Sequence, residues 1–338
     1  MDDLQHGTRN KKGDWAPTEP LGLAPIWSWP PQPGAVARWL VGYVWPWNLV
    51  ALATALAVWF LVLPDAAQMA ELSWRWIVPL WLANTAGIAL WFGAFEARLY
   101  RRRAQERRFK YNGKFPAEQP SDVFWFRSQN LDNALRCFLI SVPIGTALEA
   151  LLLWLCASGQ AATVSWTEAP LYLAGLALLA PIVHEVHFYG IHRAIHWGPL
   201  YRWVHAIHHN SVNPSPWSSL SMHPVEAAAY FGVALWMLAL PTHGFIAVLF
   251  FHLAGYGAIV GHIGFDRIEL GDTHAPRSSA YAHYLHHKHF DVNYCDNGVF
   301  PLDHWFGSWH DGSPEGERRM QERFRRRRER VNASSSAS

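Results

Sequence analysis

Cysteine is scarce: Cys137, Cys156 and Cys295 are the only three in 338 residues. That number and scatter exclude a disulfide framework, a cysteine-rich metal site and an iron–sulfur cluster. Cys137 and Cys156 lie in apolar runs, where a thiol serves as a small hydrophobe. No G-x-G-x-x-G follows a strand and no C-x-x-C-H is present, so neither a bound dinucleotide nor a covalent haem is predicted. Residues 1–33 are polar, then rich in Pro and Trp, without a leading apolar core. The expectation is no cleavable signal peptide, with insertion resting on internal helices. Internal repeats are missing as well. Histidine is nearly absent outside one region: of 19, only His6 falls outside 184–310.

What is present is apolar. Hydrophobic residues make up 51% of the chain and Trp alone contributes 20, yet mean hydropathy is only −0.03. Long apolar runs alternating with basic segments account for both values, so the distribution of charge matters more than its net +2. Residues 1–35, with Pro17, Pro20, Pro25, Pro30, Pro31 and Pro33, predict an irregular arm whose Trp27 and Trp29 suit the headgroup level. Residues 36–133 predict a transmembrane hairpin, spans 41–63 and 76–95, and a loop carrying Arg98, Arg101, Arg102, Arg103, Arg107, Arg108, Lys110 and Lys114. The intervening connection holds Asp65 and Glu71 and no base, so the positive-inside rule puts the basic loop in the cytoplasm.

Residues 134–312 hold the histidines. Spans are predicted at 134–157, with the ionisable Glu149 inside, and at 171–183. A further apolar stretch, 227–261, is broken at Pro241–Gly244 into halves of about 15 residues. Each is short of the ~20 a crossing needs, which leaves a tilted or re-entrant hairpin and two crossings both open. Residues 313–338 form a basic tail with eight Arg.

The histidines are spaced regularly: His192-x3-His196, His205-x2-His208-His209 and His283-x2-His286-His287. Positions i, i+3 and i+4 of a helix share a face, so each cluster aims its imidazoles at one point. Eight imidazoles exceed the four that close a structural zinc site and suit a pair of metal ions with open positions. Imidazole suits iron, copper, nickel and zinc alike, so these ligands do not name the metal.

The segments EVHFYGIHRAIH, HAIHHNSVNPSPWSSLSMHPVE and YAHYLHHKHFDVNYCDNGVFPLDHWFGS, in this order, resemble the membrane-bound fatty acid hydroxylase and sterol desaturase superfamily over residues 180–310. The resemblance implies a non-haem di-iron oxygenase in a membrane acting on a lipid, and makes 134–312 its catalytic domain. It implies His192, His196, His205, His208, His209, His283, His286 and His287 as ligands, with His223 and His262 next and His187 after them. Ligating imidazoles donate their other N–H to carboxylates or carbonyls. Glu185, Glu226, Asp291 and Asp303 stand near the clusters for that role, and Asn293 belongs to the matched closing motif. Cys295 departs from the glycine that relatives commonly carry there. His184, His243, His252, His274, His289, His304 and His310 are expected to be structural or to line loops.

The fold expected is therefore an all-α integral membrane protein: about four transmembrane helices plus a short membrane hairpin, with a cytoplasmic His-rich helical cap holding a dinuclear metal site. The resemblance implies two Fe2+ ions, O2 as co-substrate and hydroxylation of a sterol, fatty acyl or other membrane lipid, with desaturation as the alternative outcome. Electrons must come from a separate donor, cytochrome b5-like, a ferredoxin or a reductase, which the Arg-rich loop and tail are suited to dock. No nucleic acid partner is expected, and the site belongs on the cytoplasmic face of a bacterial inner membrane or endoplasmic reticulum. Two rivals differ in class. A zinc hydrolase needs a carboxylate base, and HEVH is not H-E-x-x-H. A metal-binding or transport protein needs histidines along a path through the spans.

Overall fold

Apolar runs in a bilayer must satisfy every backbone N–H and C=O within the segment, and the helix does so. The computed structural model describes residues 1–116, 119–295 and 298–335 and is correspondingly helical, with a single small sheet among these residues. Five segments are long and apolar enough to cross a membrane: Pro33–Leu61, Trp74–Arg101, Gln129–Ala157, Pro170–Ile195 and Gly244–His262. The chain is an all-α membrane protein. The first segment divides into α1 (Pro33–Val44) and α2 (Trp47–Leu61). The next three are α3, α4 and α5; α6 covers 198–209, α7 is Pro224–Ala239, α8 is Gly244–His262, α9 is Tyr281–His289 and α10 is Pro314–Ser335.

Helix α8 is the axis. Its side chains from Gly244 to Tyr256 are all buried, packed against α2, α4 and α5. A helix apolar on every face belongs in such a position. Together with α7 it makes the hairpin expected at 227–261, and the turn between them decides its depth. Thr242 pairs with the loop between α4 and α5, donating to Ala162 O at 3.1 Å and accepting from Val164 N at 2.9 Å. The hairpin therefore runs the full length of the bundle. Sixteen residues of α-helix would fall short, but Gly232–Ala239 is 3-10 helix. At rises of ~1.5 and ~2.0 Å per residue, α7 reaches about 28 Å, close to the ~30 Å hydrocarbon thickness.

Glu149, ionisable at mid-span, finds its partner on the neighbouring helix: Asn84 Nδ2 donates to Oε2 at 2.7 Å and to Thr146 Oγ1 at 3.1 Å. The expected fourth span is longer than 171–183, since α5 continues without a break to Ile195 and carries His192 out of the span level.

The N-terminal arm is not irregular. Strands β1 (Gly7–Arg9) and β2 (Trp15–Pro17) pair antiparallel, and Trp15 is 1% exposed. It packs with Phe109, Tyr111, Tyr281 and Tyr284, which clamps the arm to the outer face of α9. Three stretches distant in sequence meet there, so no local pattern announced it. Trp27, expected at headgroup level, donates Nε1–H to Val299 O at 2.7 Å and packs edge-on against Trp305. The basic loop folds onto 265–269, where the Arg108 guanidinium meets Glu269 at 2.9 and 3.0 Å.

Candidate metal centre

Four elements deliver the histidines to one end of the bundle. Helix α5 ends at Ile195, ahead of the break at Gly198-Pro199, with His192 in its last turn and His196 as its C-cap one turn on. Residues 201–205 form a π-turn that re-aims His205 within α6. His262 ends α8 and His283, His286 and His287 ride on α9.

The rings sort into two groups. In the first, His192, His196, His205, His209 and His286 offer nitrogens all within 4.8 Å of one another; in the second, His208, His262, His283 and His287 do the same. Within the first, Nε2 atoms lie 3.1 Å apart for His192–His205 and His209–His286 and 3.2 Å for His196–His209. Within the second, His262 Nε2 is 3.1 Å from that of His208, 3.2 Å from His283 and 3.3 Å from His287. Helix geometry explains the sorting. In α6 the i, i+4 pair His205/His209 enters the first group and His208 the second; in α9 the pair His283/His287 enters the second and His286 the first.

Five of these facing nitrogens are lone pairs. His192 Nδ1 donates to Tyr294 O (2.7 Å), His205 to Glu226 Oε1 (2.8 Å), His208 to Ser221 O (3.3 Å), His262 to Ala258 O (3.0 Å) and His286 to Val292 O (2.7 Å). A neutral ring with its proton on Nδ1 has none on Nε2. Burial holds the rings outside the spans neutral: His196 and His208 are pushed down to about 3, and His205, His209, His286 and His287 go well below their ordinary value, with neighbouring imidazoles adding to the effect. Facing lone pairs at 3.1 Å, in His192–His205 and His208–His262, call for a cation between them. A metal ~2.1 Å from each nitrogen sets neighbouring ligands about 3.0 Å apart at right angles and about 3.4 Å apart in a tetrahedron. The residues fit two such ions.

The supporting groups act through backbone. Asp303 accepts from Tyr294 N (3.0 Å), Cys295 N (2.8 Å) and Ser308 Oγ (2.5 Å), fixing the bend whose carbonyl orients His192. Asn293 holds Ala282 O and both backbone groups of His310. Glu185 accepts from Val299 N and Phe300 N at 2.7 Å, in space kept open by Gly298, whose Cβ would lie 2.3 Å from its carboxyl carbon. Asp291 accepts from Tyr294 Oη at 3.2 Å, outside the groups. Glu226 meets a ligand side chain directly, at His205 Nδ1.

The structure brings nine histidines together and leaves two of the expected ones elsewhere. His223 caps α7, its Nδ1 accepting from Val225 N at 3.2 Å, so the ring is turned to its own helix. His187 faces α7, bonded to Ala229 O (2.8 Å) and Trp236 Nε1 (3.1 Å). A third trio, His289, His310 and Glu317, is of another kind. His310 Nδ1 accepts from Gly312 N, which leaves the proton on the Nε2 that faces Glu317 at 3.5 Å. The carbonyls of Ser221, Ala258, Val292 and Tyr294 carry no sequence signal, because any residue supplies a carbonyl.

A cavity of about 290 Å³ opens beside the groups. It runs between Tyr43 and Trp47 of the first segment, Phe188 of α5 and Leu253 of α8, and ends at His192, His205, His208, His262 and His283. An apolar chain entering from the spans would meet the metal positions.

Known proteins match the same region. The family model for fatty acid hydroxylase matches residues 177–308. A Delta(7)-sterol 5(6)-desaturase of Gibberella zeae is 27% identical over 147 residues, 43% of this chain and 44% of its own. A methylsterol monooxygenase of Aspergillus fumigatus is 32% identical over 123 residues, 34% and 42% of the two chains. The Delta(7)-sterol 5(6)-desaturase of Saccharomyces cerevisiae is 30% identical over 107 residues, 31% and 28%. The chain thus spans about half or less of the length of the curated relatives it matches. No solved structure matches. With its histidines and their order accounted for, the region 177–308 belongs to the fatty acid hydroxylase family, in the superfamily that includes the sterol desaturases and methylsterol monooxygenases.

Proposed function

We propose that this protein is a membrane-bound, O2-dependent non-haem di-iron oxygenase that hydroxylates a C–H bond of a membrane lipid. The observation that carries the reading is the pair of nitrogen-lined positions at the blind end of a cavity opening among the spans. His192, His196, His205, His209 and His286 would hold one ion, and His208, His262, His283 and His287 the other. Two iron ions bound there supply O2 activation. Tyr43, Trp47, Phe188 and Leu253 exclude water and align the lipid chain, while Glu226 and the Asp303–Tyr294 unit hold the imidazoles in the tautomer that presents Nε2. The names of the sterol desaturases among the relatives support desaturation as a second outcome of the same chemistry. The basic loop and the tail lie at the histidine end, which supports a cytoplasmic position for the site.

The test is metal content of detergent-purified protein beside His208→Ala, followed by lipid analysis of cells with and without the active gene. The expected result is about two irons per chain, reduced in the variant, and a lipid that gains one oxygen or loses two hydrogens only when wild-type protein is present. A single tight zinc with a hydrolysed lipid would overturn the reading.

A further inference from the structure

On the side of the histidine groups away from the lipid cavity lies a second cavity of about 180 Å³. Arg193, Arg323, Arg327, Asp291, Tyr294 and Phe306 form its walls. Arg193 stands on α5 between His192 and His196; it reaches Tyr189 Oη, Phe306 O and Ser308 Oγ. Arg323 of α10 donates to Gly307 O at 2.7 Å and to Asp291 O. Arg327 pairs with Asp291 Oδ2 at 3.2 Å. Carbonyls and hydroxyls satisfy guanidinium donors without neutralising them. Among the described residues, three cations therefore meet two carboxylates, Asp291 in the wall and the buried Asp303, whose oxygens accept from two backbone N–H groups and Ser308, which leaves positive charge in excess. The glutamates of α10 that approach its arginines pair elsewhere, Glu322 with Arg326 and Glu329 with Arg325.

One ring separates this pocket from the first histidine group. Tyr294 lies 5.0 Å from His196, 5.6 Å from His286 and 5.9 Å from His192 between ring centroids, and the Arg193 guanidinium sits 5.6 Å from the centroid of the same ring. Resting on the oxygenase reading above, we propose that this arginine pocket is where electrons enter, by docking the carboxylate-bearing face of a one-electron carrier protein. Hydroxylation consumes O2, two electrons and two protons, and yields the alcohol and one water. The two electrons come from two successive carriers, each oxidised by one, and the chain's three cysteines and lack of a haem-attachment motif give it no carrier of its own. Arginine forks match carboxylates bidentately, and Arg with aromatics is the composition of binding hot spots. The basic loop is the weaker candidate, because the Glu269 carboxylate neutralises its Arg108. A lipid headgroup is also anionic, but this pocket lies across the histidines from the cavity that opens among the spans.

The test uses full-length, iron-loaded protein in neutral nanodiscs and a reduced, acidic [2Fe–2S] ferredoxin as probe. Oxidation of the probe is followed by stopped flow against ionic strength, for wild type, Arg327→Glu, the double variant Arg323→Glu/Arg327→Glu, and Arg102→Glu of the exposed loop as control. The expected result is a rate constant about tenfold or more lower in the double variant, smaller in the same direction for Arg327→Glu, with the salt dependence flattened. Arg102→Glu stays within about twofold, and reduction by dithionite and iron content are unchanged in all four. Equal ferredoxin rates and salt slopes in wild type and both pocket variants, with dithionite reduction intact, overturn the docking site alone. Loss of binding to anionic vesicles with unchanged ferredoxin rates overturns it in favour of a headgroup site. A chain that retains no iron overturns both this inference and the oxygenase reading.

Discussion

The Glu226 carboxylate touches a candidate ligand ring, 2.8 Å from His205 Nδ1. It fixes the proton on that nitrogen and raises the donor strength of the other. Glu226→Gln should weaken metal retention about 10- to 100-fold in a chelator competition, with the helical signal unchanged. A wild-type retention curve would remove Glu226 from this role. Gly261 acts through space: a Cβ there would lie 2.9 Å from His283 Cγ. Gly261→Ala must push that ring aside, so one of two metal equivalents is expected to be lost. Protonation sets a third limit. His196 and His208 titrate near 3 in the fold against an ordinary value of 6.5. Between those values the unfolded chain binds more protons, so the contribution of these rings is complete above about pH 6.5 and falls away toward pH 3. Metal-stripped protein should melt at steadily lower temperature below pH 6.5, and a flat Tm from pH 7 to 4 would contradict the burial that drives the shift.

At the scale of elements, α6 and α9 divide their histidines in opposite senses, which lets two short helices supply both groups of nitrogens. The pattern i, i+3, i+4 made the helices legible, because it is a property of the local backbone. Which ring joins which ion was not, since that depends on how α6 and α9 face each other. His223 and His262 stood equal as sequence features. The structure seats His262 against His283, rings 4.4 Å apart, and turns His223 to cap α7. Helix α9 is in turn braced by the arm, through Trp15. Trp15→Ala removes a buried indole, at a cost of about 3–5 kcal/mol for a fully packed site. Amide exchange over 281–289 should accelerate before the spans respond. Unchanged protection there would mean that the arm does not hold α9.

For the whole molecule, the basic loop and tail share the histidine end, and the 158–169 loop meets the α7–α8 turn at the other. An impermeant maleimide applied to sealed vesicles of a cysteine-free background should therefore label Glu322→Cys and Gln160→Cys from opposite sides. Labelling of both from one side would exclude the arrangement of spans.

Composition and periodicity by themselves determined the apolar helices, the basic end and the three histidine sets, because hydrophobic run length, charge and helical spacing are written within a few turns of chain. Tertiary structure decided the depth of the α7–α8 hairpin, since the longer rise of its 3-10 half and the pairing of Thr242 with the 162–164 loop follow from packing against the bundle. It also decided the division of nine rings into two groups and the carbonyls that fix their tautomers. Those contacts join residues up to 102 positions apart, as between His192 and Tyr294, and arise only once the helices are in place.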